Sequence, residues 1–222
     1  QTIVPAMSVF AVLSGALLGM PDTLVSSREA GIFRSYKING VPAMSILVIP
    51  VLTSMLHALA VTILIALTAP ALFDGVAPVN WAGFFLVFLV SAFALAGVGA
   101  LIGVISTSSR MTVLLSQLVF LPSMILGGLM LPSSLLTGGL GKVALILPTT
   151  YAMDAFAGLA MGNSAGSHAW QSVGILLAGG VMAFGLALFL FSWDSKNSTR
   201  RGHPALALLA WTPYVIGLLL AL

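Results

Sequence analysis

The sequence predicts an all-α protein: a polytopic bundle of transmembrane helices with six visible spans and two short re-entrant helices on the outer side. Three observations carry that prediction. First, the 222 residues are 59% hydrophobic and only 6% charged, with a mean hydropathy of +1.15. A water-soluble domain carries about a quarter charged residues, so most of this surface must face lipid. Second, six windows, 3–21, 44–69, 81–105, 112–131, 170–192 and 204–222, approach or exceed the roughly 20 apolar residues that cross a hydrocarbon core. Alternating segments of about 10 residues, the mark of a transmembrane barrel, are absent. Third, the basic residues are sorted by loop. Arg28, Arg34, Lys37, Arg110, Lys196, Arg200 and Arg201 fall on one side of the predicted spans, and Lys142 alone falls on the other. By the positive-inside rule the first side is cytoplasmic.

Residues 3–21 have no basic segment before them and no signal-like cleavage residues after them, so they read as a span and not as a signal peptide. Gln1 is then outside. A chain that starts outside without a signal is expected to follow one further span at its front. The formal charge of +3 is no argument for nucleic acid, because in a membrane protein the placement of positive residues matters more than their sum. With no cysteine, disulfides, thiol catalysis and cysteine metal sites are ruled out. Trp81 and Trp170 open spans at the outer interface and Trp193 closes one at the inner interface, the usual place for aromatic belts.

The first cytoplasmic loop, "SSREAGIFRSYKINGVP" (26–42), holds three of the eight Lys and Arg residues. Ser26 and Glu29 form a capping-box pattern, which predicts a new short helix to about Lys37 that stops at Asn39-Gly40. Ile32 and Tyr36 would share a stripe with Arg28, with Phe33 and Lys37 on the neighbouring one. Such a basic amphipathic helix can lie on anionic headgroups or dock a cytoplasmic subunit.

On the outer side, "FLPSMILGGLMLPSSLLTGGLGKVALILPTTYAMDAFAGLAMG" (120–162) ends a span in Gly127-Gly128 and Pro132. Two apolar pieces too short to cross follow, separated by Pro148-Thr149-Thr150-Tyr151. They read as half-helices dipping into the outer leaflet, where broken backbone survives only if protein or a water-lined cavity shields it.

This order of features resembles the ABC-2 type permease family, the membrane subunits of ATP-driven exporters. Arg28-Glu29 is similar to the family's cytoplasmic Arg-Glu helix. Gly127-Gly128 with Pro132 is similar to its Gly-rich span end, and Pro148-Thr149-Thr150-Tyr151 to the stretch before its last span. The resemblance covers about residues 1–193 of a single transmembrane domain, 1–222, and implies that the family's first span precedes Gln1. It departs in two places. Ala30-Gly31-Ile32 stands where Gly-Thr usually follows the Arg-Glu pair. Beyond the family's plan come a basic cytoplasmic loop, 194–203, and an extra span, 204–222. The resemblance implies a nucleotide-binding ATPase partner touching Arg28, Glu29, Ile32, Phe33, Arg34, Tyr36 and Arg110, and a second permease subunit. It also implies a pathway region at Gly127, Gly128, Pro132, Pro148, Thr149, Tyr151 and Asp154, and a location in a prokaryotic plasma membrane.

Candidates for chemistry are few. "GGLGKV" at 138–143 departs from a Walker A loop, with Leu136 at the first glycine position and Val143 replacing the magnesium-binding hydroxyl. ATP and magnesium therefore belong to a partner, and no cofactor is expected in this chain. His57 lies mid-span, a functional-site hypothesis by default, although a neutral histidine bonded to a neighbouring helix is the simpler reading. No second ligand sits within a turn of it. Ser167-His168 lacks the buried base that a nucleophile needs. Gly15-x-x-x-Gly19 and Gly99-x-x-x-Gly103 permit close helix packing, within the subunit or between subunits. Pro50, Pro122 and Pro213 predict kinks. The reading that results is a non-enzymatic export permease. A secondary transporter, which would want mid-span carboxylates, and a membrane scaffold are the alternatives.

Overall fold

The computed structural model describes residues 3–73, 75–131, 135–136, 138–163, 168–194 and 202–221. Nine helices and no strand are present among them. In chain order they are α1 (Ile3–Glu29), α2 (Ile32–Ile38), α3 (Ala43–Leu72), α4 (Trp81–Ile105), α5 (Ser109–Leu126), α6 (Gly139–Ala144), α7 (Pro148–Ala155), α8 (Ala169–Leu190) and α9 (Pro204–Leu220). Five of these, α1, α3, α4, α5 and α8, are long and apolar enough to cross a membrane. The sixth expected span, 204–222, is a shorter apolar helix. Its first eight residues, Pro204–Trp211, are 3-10 and its last nine, Thr212–Leu220, are α. Because a 3-10 turn rises about 2.0 Å per residue against about 1.5 Å for an α-helix, α9 still reaches about 30 Å.

The α4 helix is the centre of the bundle, with nearly every residue from Ser91 to Val104 buried. Its glycines set the packing distances. A β-carbon on Gly99 would stand 2.0 Å from the Ala16 carbonyl oxygen, and one on Gly103 would strike Leu24 and the Pro21 carbonyl. The second small-residue motif therefore packs within the chain, α4 against α1.

That contact uses an irregularity in α1. Gly15–Gly19 form a π turn, and the Met20 N–H donates to the Gly15 carbonyl five residues back. Pro21 has no N–H and its ring would press on the carbonyl of Leu17, so the widened turn relieves the clash without breaking the helix. Pro213 is absorbed differently. It stands where α9 changes from 3-10 to α, and the Thr212 hydroxyl and N–H both donate to the Leu209 carbonyl that a Pro213 N–H would have served. Pro50 and Pro122 lie inside continuous helices.

The capping-box expectation is overturned. Ser26 lies within the last turns of α1, where its hydroxyl donates to the Thr23 carbonyl at 3.3 Å. The first span continues to Glu29 because Leu24, Val25 and Arg28 extend its buried face, and burial outweighs a local cap signal. The break comes at Gly31, whose φ of +76° suits glycine. Arg28 is thus not on the same helix as Ile32 and Tyr36. The predicted stop at Asn39-Gly40 holds: α2 ends at Ile38, and the Val41 N–H returns to the Tyr36 carbonyl.

The outward faces of α3 and α5 carry Leu52, Leu56, Leu64, Leu67, Leu114 and Leu118, all more than half exposed. That is the surface of a lipid-facing helix, and it accounts for the apolar composition.

Candidate functional site

Two regions at opposite ends of the bundle gather the residues that the sequence singles out. At the basic end, α2 is fastened to two long helices. Arg28 is only 4% exposed; its Nη1 donates to the Val104 carbonyl at 2.9 Å and its Nη2 to the Ser106 carbonyl. These carbonyls close α4, where the last turn lacks intrahelical donors and the helix dipole favours a cation. Phe33 is buried against Phe191, ring centroids 5.7 Å apart, and Phe191 packs edge-on against Trp193. Arg34 pairs with Asp194 at 2.5 Å. One end of α1, the end of α4 and the end of α8 therefore meet at the basic side.

Glu29, Ile32, Tyr36 and Lys37 point outward. Arg110 is exposed on the first turn of α5. Lys196, Arg200 and Arg201 lie outside the described residues.

At the other end, α6 and α7 are the two short helices expected of residues 133–162, with a second π turn, Phe156–Ala160, continuing α7. Three successive hydroxyls fasten them to three separate places. The Thr149 hydroxyl donates to the Ser123 carbonyl near the end of α5 at 3.2 Å. Thr150 donates to the Ala144 carbonyl, the last of α6, at 2.5 Å. Tyr151 donates to the Leu145 carbonyl at 2.7 Å and lies 3.3 Å from the Tyr214 carbonyl of α9. Each captures backbone oxygen at a helix end or turn, which is what a broken segment inside a membrane requires.

The neighbouring candidates fit the same arrangement. Gly127 lies so close to Thr149 that a β-carbon would stand 1.9 Å from its hydroxyl oxygen. Gly128 has a φ of +85° and faces Met153. Pro148 occupies the first turn of α7, and Asp154 accepts from the Ser172 hydroxyl at 2.7 Å, tying α7 to α8. The Val79 and Asn80 N–H groups donate to the Ala160 carbonyl at 2.9 and 3.0 Å, which places the α3–α4 loop beside the re-entrant pair. Pro132 lies outside the described residues, as does Ser167.

His57 departs from its expected state. It is exposed and makes no hydrogen bond to a neighbouring helix among the described residues. It lines a shallow groove of about 330 Å³ between α1 and α3 with Met7, Phe10, Ser14 and Ala58. No group of three or more potential metal ligands occurs among the described residues.

Sequence reasoning missed Asp194, Phe191 and Tyr214. Asp194 had a readable signal, a lone acid just past a span in a chain whose basic residues gather at that end. Tyr214 offered only a phenol in an apolar helix, with nothing to name its partner.

Comparison with known proteins adds the family. A search of curated proteins found no match, and neither did a search of solved structures. A family model described as ABC-2 family transporter protein matches residues 1–189. With most of its length matched and its helices apolar and membrane-spanning, this chain belongs to the ABC-2 transporter family, as a multi-pass membrane permease.

Proposed function

We propose that this permease is the transmembrane subunit of an ATP-driven exporter in a prokaryotic plasma membrane. It works as one of a pair, coupled to separate nucleotide-binding subunits that supply ATP and magnesium. The observation that carries the reading is the fastening of α2. Arg28 joins the segment entering α2 to the end of α4, while Phe33 and Arg34 join α2 to the end of α8. A push on α2 from below would therefore reach two helices that run to the re-entrant pair, and α8 holds that pair directly through Ser172 and Asp154.

The inward residues do not themselves need to touch a partner. Arg28 and Phe33 give α2 its purchase on the bundle, and Arg34 straddles both roles, exposed on one side and paired with Asp194 on the other. Glu29, Ile32 and Tyr36 are the contact, with Arg110 beside them. On the outer side, Gly127, Gly128, Thr149, Tyr151 and Asp154, with Pro132 and Pro148, form the end of the pathway. The apolar composition of the chain suits a lipid-like or amphipathic substrate.

The test is purification of the full permease from its native membrane with its associated proteins. An ATPase lacking spans of its own is the expected companion. Its association should weaken when Glu29 is changed to Gln or Ile32 to Ala. A permease that transports alone, or one held in an assembly with no ATPase, would overturn the proposal.

A further inference from the structure

Helix α9 lies outside the family match, which ends at residue 189, yet it is packed more closely than an appendage would be. Three contacts follow one another along α8. Near the basic end, Gly202 sits against Phe189 and Leu190. Further along, a β-carbon on Gly179 would stand 2.2 Å from the Tyr214 hydroxyl oxygen. At the far end, a β-carbon on Gly217 would meet Ile175 at 2.9 Å and the Tyr151 hydroxyl at 2.4 Å. From Leu190 back to Ile175, α9 retraces about 22 Å of α8, antiparallel to it, and arrives at the re-entrant pair.

There the contact is specific. Tyr214 is fully buried, with its ring 5.8 Å from that of Tyr151. The Tyr151 hydroxyl has one proton and two carbonyl acceptors in reach, Leu145 at 2.7 Å inside the re-entrant turn and Tyr214 at 3.3 Å on α9. Gly217 leaves room for that hydroxyl and for nothing larger. The Tyr214 hydroxyl has no hydrogen-bond partner among the described residues, so Tyr214 acts there through its ring and its backbone carbonyl.

We propose that α9 is a strap that holds the re-entrant pair seated against α8, and that Tyr151, Tyr214 and Gly217 form its latch. The latch residues are positioning residues: they set how readily α7 leaves its seat. The inference deepens the transport reading in one respect only, that movement of the re-entrant pair opens the outer end of the pathway.

The test reads movement of α7 without reference to ATP or transport, so its result stands apart from the coupling proposal. The chain has no cysteine, and Ala152 on α7 is fully buried, so Ala152→Cys in the full-length permease is a single reporter. Its reaction rate with a water-soluble maleimide measures how often α7 unseats. Gly217→Ala and Tyr151→Phe should each raise that rate, by about five- to tenfold. Gly185→Ala, on α8 with nothing near its β-carbon, should leave it unchanged.

The decisive result is the double variant. Tyr151→Phe removes the nearest atom that a Gly217→Ala methyl would strike, at 2.4 Å, and leaves Ile175 and the ring carbon at 2.9 Å, so the two effects should combine to less than their product. Multiplied effects would mean two unrelated sites and would overturn the latch. Rates equal to the parent in all three variants would overturn the strap itself. Tyr151→Phe is mild enough to keep the test valid if Gly217→Ala fails to fold.

Discussion

The guanidinium of Arg28, at the end of the first span, donates to the carbonyl of Val104 at 2.9 Å and also reaches that of Ser106. One side chain thereby closes the last turn of α4 and fixes where α1 stops. A buried cation is costly unless it is hydrogen-bonded, and here its partners are carbonyls that would otherwise lack donors. Arg28→Met should destabilise the permease by about 2–4 kcal/mol, since two charge-assisted bonds are lost and both carbonyls stay buried. Arg28→Lys should recover only part of this, because a point charge lacks the planar fork. Chemical unfolding in detergent measures both.

The two small-residue motifs separate cleanly. Gly99→Ala places a methyl 2.0 Å from the Ala16 oxygen; backbone must move, and the cost should be about 1–3 kcal/mol. Gly19→Ala meets nothing within 4 Å and should stay within about 0.5 kcal/mol of the parent or gain slightly. Equal losses at the two positions would mean that α1 and α4 do not pack as described. The same unfolding experiments decide it.

The orientation is tested by single cysteines at exposed positions. Leu140 on α6 and Tyr36 on α2 are both open to solvent, at opposite ends of the bundle. With an impermeant maleimide on intact cells, Leu140→Cys should label and Tyr36→Cys should label only after the membrane is opened. The reverse pattern would invert the topology and with it the side on which an ATPase could dock.

Much of this was legible because lipid imposes simple rules. Span existence follows from length and hydropathy. The re-entrant pair follows from pieces too short to cross. What could not be read were choices settled by packing. Ser26 and Glu29 carry a valid cap signal, yet Leu24, Val25 and Arg28 bury one face and carry the helix past them. Pro21 lies inside α1 because a π turn opens before it, and only the approach of Gly99 shows that the widened turn fits there. An intramembrane histidine ordinarily finds a partner, yet His57 is exposed on α3 and lines the groove with α1. The candidate site divided likewise: the residue types of Thr149, Thr150 and Tyr151 were noticed, and their three separate anchors were not. Two of the carbonyls they reach, those of Ser123 and Tyr214, lie 26 and 63 residues away, separations that local patterns do not encode.

The outward and inward residues of the elbow between α1 and α2 make the sharpest separation. If α2 is a docking surface, Glu29, Ile32 and Tyr36 meet the ATPase, while Phe33 and Arg28 hold α2 to the bundle. Ile32→Ala and Tyr36→Ala should then leave the unfolding of the isolated permease unchanged, because both side chains are more than 40% exposed. Each should weaken ATPase binding by about 1–3 kcal/mol if it is a buried anchor in the complex. Phe33→Ala should show the opposite order. It removes a ring buried against Phe191, at a cost of about 3–5 kcal/mol to the permease itself, and lowers coupling only through that loss. Glu29→Gln separates docking from lipid binding. On an anionic headgroup surface, losing an acid should hold α2 at the membrane as well or better, at about 1 kcal/mol per unit charge. In a docked complex it removes an oriented acceptor and should raise ATP hydrolysis without transport. Binding measured on the purified permease with its ATPase distinguishes the two. Full partner binding by Glu29→Gln, Ile32→Ala and Tyr36→Ala together would leave α2 as an interfacial helix with no docking role.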